Sequence, residues 1–203
     1  DDRLAVTVAL AAPAEARPSH QQVDRVASAM GDVVDAAVRE PGRSRRVARL
    51  AAELGRAMGL EPSHCRTLQV AGMVMDIGLL GVPRHITEKP AILSVDEMEL
   101  MQRHCGWGAG ILEGVPGFDE VAGWVEQHHE RPDGRGYTER LVGSELPLAP
   151  RILAVADSFW ALCAERPYRA AFSPAQALEV IERGAGTQYD PHVVACLPSA
   201  LAA

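Results

Sequence analysis

The sequence has no apolar run long enough to cross a bilayer and nothing resembling a signal peptide, so a cytoplasmic chain without membrane insertion is expected. It has no excess of basic charge. A formal net charge of −7 argues against broad binding to a nucleic-acid backbone, while leaving room for a local basic pocket that takes a small anion. It has no CxxC pair either: Cys65, Cys105, Cys163 and Cys196 are scattered, and read as buried or incidental thiols, not as a disulfide framework or a zinc knuckle. Internal repeats are missing. Strand-like alternation is confined to the opening segment, where Leu4, Val6, Val8 and Leu10 alternate with smaller or polar neighbours.

What is present is a chain of 203 residues, 47% hydrophobic and 23% charged, enough for one domain with a proper core. Residues 1–19 read as a short strand and a proline-containing linker, the remnant of something upstream, and residues 20–203 as the domain itself. Beyond the linker the signals are helical. Val23, Val26, Ala27, Met30, Val33, Val34 and Ala37 form a stripe that ends at Pro41-Gly42. Val47, Leu50, Ala51, Leu54 and Met58 form a second, closed by Gly59, and Pro62 opens a third through Leu68, Gly72 and Met75. After a loop with Pro83 and Pro90, Ser94 and Glu97 make a capping box. Further helices are expected near 106–113, 119–130, 150–164 and 174–183, and Asp190-Pro191 starts a last one. The expected fold is an all-α bundle of about seven to nine helices.

Five metal-competent side chains fall on these helices, Asp76 at the end of the third, His104 at the end of the fourth, His128 and His129 late in the sixth and Asp157 in the middle of the seventh, where a bundle can aim them at one cavity. A mixed histidine and carboxylate set favours manganese, iron, nickel or zinc over calcium. His20, His64, His85 and His192 have no metal-competent neighbour at helical spacing and are assigned to packing or surface.

The stretches "QHHERPDGRGYTERL", "LPLAPRILAVADSFWAL" and "ERPYRAAFSPAQALEVIERGAGTQYDP", with "DIGLLGVPRHITEKPAILSVDEMELMQRHCGWGAGIL" upstream, resemble the HD-GYP family, the cyclic di-GMP phosphodiesterase branch of the HD superfamily. The likeness runs in order from about Ser44 to Leu197. It implies an HD-like helical bundle and makes Asp76, His104, His128, His129 and Asp157 the counterparts of metal ligands. Gly136 and Tyr137 fall in the GYP motif, and Arg166 and Arg169 are similar to a basic pair that contacts the ligand's phosphates. Cyclic di-GMP, a protein partner at the GYP-like loop, and a homodimer are the associations the resemblance allows.

The pattern is broken at particular positions. Met75 stands where the HD doublet has histidine, Arg43 where the family has an earlier histidine, Leu79 where it has lysine, and Thr138 where GYP has proline. Phosphodiester hydrolysis in such sites uses two metals that clamp the phosphate and share a hydroxide. One ion retains its ligands. The other would keep two carboxylates and no imidazole, and neither a thioether nor a guanidinium replaces what is lost. Arg43 is therefore expected beside Asp76 or Asp157, its charge substituting for the missing ion. The resulting expectation is a degenerate signalling domain, weak or inactive as a phosphodiesterase, that holds one divalent transition metal (Fe, Mn, Ni or Zn) or none. The alternative is an active metal-dependent cyclic di-GMP phosphodiesterase, with Asp35 or Glu40 completing the second site.

Overall fold

The structure is a computed structural model that describes residues 17–165 and 170–203. Among these residues ten α-helices follow in order: α1 His20–Val38, α2 Arg43–Ala57, α3 Pro62–Val74, α4 Arg84–Thr87, α5 Val95–Gln102, α6 His104–Leu112, α7 Asp119–Gln127, α8 Leu148–Cys163, α9 Pro174–Arg183 and α10 Pro191–Leu201. With the single turn α4 set aside, nine remain. Among the described residues there are no β-strands, only two isolated bridges. The strand-like opening, and Arg166 and Arg169, lie outside the described residues. No helix among the described residues is long and apolar enough to cross a membrane.

The helices start where side chains can satisfy the first free amides. Ser94 accepts from Glu97 N while Glu97 reaches back to Ser94 N, and Asp190 accepts from His192 N and Val193 N ahead of Pro191. Equivalent boxes at Ser19–Gln22 and Ser173–Gln176 open α1 and α9. One expectation about α1 needs correction. Val26 and Val33 are exposed flanks, since the buried face runs through Val23, Ala27, Gly31 and Val34. The stripe was wider than the surface its neighbours cover.

The core gathers around α2, whose Val47, Leu50, Ala51 and Leu54 are buried and which packs on α1, α3, α8 and α10. Leu68 and Val74 of α3, Ile152, Leu153 and Phe159 of α8, and Val193 and Leu197 of α10 complete it. The segment between α3 and α5 is less irregular than a loop with two prolines suggests. A 3-10 turn over Ile77–Gly81 directly follows Asp76 and packs on α6. Gly78 makes that approach feasible: a Cβ there would stand 1.9 Å from His104 O and 2.7 Å from Gly108 N. Backbone against backbone leaves no flexible atom to give way.

Gly78→Ala should therefore push α6 off the turn and destabilise the fold by about 1–3 kcal/mol in urea unfolding. Gly106→Ala, whose Cβ would meet nothing within 4 Å, should instead stay within about 1 kcal/mol on the stabilising side. Equal effects of the two would contradict this packing.

Candidate metal centre

The end of α3, the starts of α2 and α6, the end of α7 and the middle of α8 meet at one place. His104 is the first residue of α6, not the end of the helix before it, because Arg103 separates α5 from α6. Asp76 lies just beyond α3, and His128 and His129 just beyond α7, which stops at Gln127 rather than continuing to residue 130. Asp157 is in mid-helix in α8, as expected. Asp76, His104, His128 and Asp157 are buried, and His129 is partly buried.

Two of the histidines are oriented by backbone carbonyls three residues back. His104 Nδ1 donates to Met101 O at 2.7 Å and His128 Nδ1 to Val125 O at 2.5 Å. A carbonyl can only accept, so each ring carries its proton on Nδ1 and turns an Nε2 lone pair inward. The two Nε2 atoms are 3.4 Å apart, and Asp76 Oδ1 lies 3.8 Å from one and 3.9 Å from the other. Donors bound to one cation at about 2.0–2.2 Å stand about 3.0–3.5 Å from each other, so a small contraction would seat an ion. Burial, reinforced by the neighbouring His104, pushes His128 down to about 4, and burial with His128 beside it takes His129 well below its ordinary value. Both rings stay neutral at pH 7 and keep their lone pairs. These residues fit a divalent transition metal.

The far side of Asp76 faces a cation of the protein's own. Arg43, the first residue of α2, sends Nη1 to Asp76 Oδ2 and Nη2 to Asp157 Oδ1, and its Nε lies 3.4 Å from Glu40 Oε2. An arginine at a helix N-terminus faces the positive end of the helix dipole and, when buried, loses its hydration. Burial works against the charge, yet Asp76 and Asp157 outweigh it and raise the guanidinium above its ordinary value. Burial likewise opposes ionisation of Asp76, but the Arg43 charge holds its carboxyl well below the usual range. Met75, at the other lost histidine, is buried in the apolar core. Asp35 Oδ1 accepts from Ser44 N at 3.0 Å and Ser44 Oγ at 2.7 Å and so ties α1 to α2.

The GYP-like loop covers the histidines. Tyr137 stacks on His129 with ring centroids 4.9 Å apart, and Gly136 presses on Glu130, where a Cβ would come within 2.5 Å of Glu130 Cα. Glu130 was not singled out in the sequence, yet it is buried and its Oε1 accepts from Glu139 N and Arg140 N, which fixes the loop's return. Thr138 has φ 127, a value no proline can take, so the departure from GYP is a difference of backbone as well as of side chain. A cleft of about 220 Å³ opens beside His129, Tyr137, Arg131 and Arg135.

One member of the centre was missed. Cys105 Sγ lies 3.6 Å from His104 Nε2 and 3.9 Å from His128 Nδ1, inside a group with His129 whose ligating atoms all fall within 4.8 Å of one another. The available signal was its adjacency to His104.

Comparison with known proteins identifies the family and the fold. The HD domain family matches residues 32–193. The cGAMP-specific phosphodiesterase 3 of Vibrio cholerae is 37% identical over 87% of this chain, and the cyclic di-GMP phosphodiesterase response regulator of Xanthomonas campestris is 36% identical over 75%. The chain spans only 38% and 41% of those two proteins. Among solved structures, an HDGYP protein from Bdellovibrio bacteriovorus superposes with a TM-score of 0.68 at 16% identity, over 91% of this chain and 65% of the other. A cyclic GMP-AMP-specific phosphodiesterase from V. cholerae gives 0.68 at 19% identity, over 87% and 48%. At those identities the likeness concerns the fold.

Arg43→Ala should leave two buried carboxylates without a cation and destabilise the chelator-treated protein by about 3–5 kcal/mol. Added manganese or zinc should recover little of that loss in the variant, because two carboxylates with no imidazole hold a second ion poorly. Urea unfolding with and without metal reads both effects, and a loss under about 1 kcal/mol would show the pairing to be dispensable.

Proposed function

Since the chain belongs to the HD domain family, in its HD-GYP branch, we infer that it is a cyclic-dinucleotide-binding signalling module whose centre seats a single metal ion and hydrolyses its ligand weakly or not at all. The observation that carries this reading is the Arg43 guanidinium lodged between Asp76 and Asp157.

A bound divalent ion would supply an electropositive seat for a phosphate oxygen and a polarised water. The chain's own residues do the rest. His104 and His128 present neutral Nε2 donors, and Asp76 offers Oδ1 while its Oδ2 is taken by Arg43. Arg43 brings one fixed positive charge and can neutralise carboxylates or hold a phosphate oxygen, but it cannot lower the pKa of a bound water as a second cation does. The loss falls on turnover more than on binding. Leu79, half-buried and apolar, adds no charge where the resemblance leads one to expect lysine.

Nucleotide binding is assigned to the other side of the centre. Tyr137 on His129 offers an aromatic wall, and Arg166 and Arg169, outside the described residues, are assigned by resemblance to the phosphates. The same loop is the assigned docking point for a protein partner. The names of the relatives favour a second reading, an active cyclic di-GMP phosphodiesterase, which requires a second ion to displace Arg43.

Purified protein saturated with manganese or zinc should contain close to one equivalent by elemental analysis, give heat on titration with cyclic di-GMP, and release little linear product. Arg43→His combined with Met75→His should raise the content to about two equivalents and increase hydrolysis at least tenfold, while either change alone does little, since a two-metal clamp needs both imidazoles. Two equivalents and rapid hydrolysis in the unaltered protein would establish the second reading instead.

A further inference from the structure

We propose that Cys105 is a thiolate ligand of the ion held by His104, His128 and Asp76, and that the centre therefore selects a thiophilic cation, zinc above all, over manganese or magnesium. The proposal rests on the single-ion centre described above and names what distinguishes it.

A buried free cysteine usually serves as a small apolar side chain. Cys105 is fully buried, but its sulfur does not sit among apolar atoms alone. It lies 3.6 Å from the inward-facing Nε2 of His104, and 3.9 Å from His128 Nδ1, the nitrogen that donates to Val125 O. Neighbouring residues on a helix normally diverge by about 100°. Here His104 curls back so that Nδ1 meets Met101 O, which brings Nε2 towards the sulfur of the next residue. A zinc ion at about 2.3 Å from sulfur and about 2.0–2.1 Å from nitrogen holds such a pair roughly 3.5 Å apart, close to the 3.6 Å between Cys105 Sγ and His104 Nε2.

The arrangement of charge points the same way. Asp76 has given one carboxylate oxygen to Arg43, so a cation between the histidines finds two neutral imidazoles and only one remaining oxygen of that acid. A thiolate supplies a second anionic donor. On binding, the thiol proton passes to bulk water as the sulfur–metal bond forms, which makes uptake release one proton at this residue. Thiolate and imidazole together suit zinc, whereas manganese and magnesium favour oxygen.

The test uses the whole chain, stripped of metal and titrated with cobalt(II), then with zinc. Expected with cobalt is a near-ultraviolet sulfur-to-metal charge-transfer band, and with zinc an X-ray absorption shell containing one sulfur at about 2.3 Å. Cys105→Ser and Cys105→Ala should abolish the band and weaken zinc at least about tenfold relative to manganese. Cys196→Ser, on α10, should leave both unchanged. If a variant fails to fold, the zinc shell of the unaltered protein decides alone. A bound ion with nitrogen and oxygen neighbours only overturns the role of Cys105 and leaves the single-ion centre standing. If neither cobalt nor zinc binds, both fall.

Discussion

The arrangement of this domain depends on one buried cation made of protein. The Arg43 guanidinium bridges Asp76, from the end of α3, and Asp157, from the middle of α8, while standing at the start of α2. Three helices that form much of the core thus converge on a single charge. Without it two buried carboxylates would repel each other in a medium that solvates neither. With it, the space between the two acids is filled by a guanidinium. In the function proposed here, stability and weak turnover come from the same contact.

Beside this fixed charge the other half of the centre could hold an exchangeable cation. Backbone carbonyls three residues back set the tautomers of His104 and His128, and the packing of α6 on α7 brings their lone pairs together. Asp76 belongs to both halves, one oxygen facing each. The occupancy of the ion site and the strength of the arginine bridge are therefore coupled through one carboxylate, since polarising one oxygen changes what the other can donate.

Much of this was legible in the sequence, because caps and prolines act locally. Ser94, Pro62 and Asp190 mark helix starts by satisfying or lacking particular amides, and those starts lie where expected. The pairing of Arg43 followed from asking what could neutralise two acids once their histidines were gone. What could not be read depends on tertiary context. Whether Val26 and Val33 are covered is decided by neighbours far along the chain, and they are not. The turn after Asp76 rests on the approach of Gly78 to α6. Cys105 gave no periodic signal, since only the backward curl of His104 brings the two side chains together.

The most direct measurement is anomalous diffraction at the metal edge from crystals grown in an excess of zinc or manganese. The account requires one peak, among His104, His128 and Asp76, with the Arg43 guanidinium still between Asp76 and Asp157. Two peaks a few ångströms apart, with Arg43 swung away from both carboxylates, would contradict it.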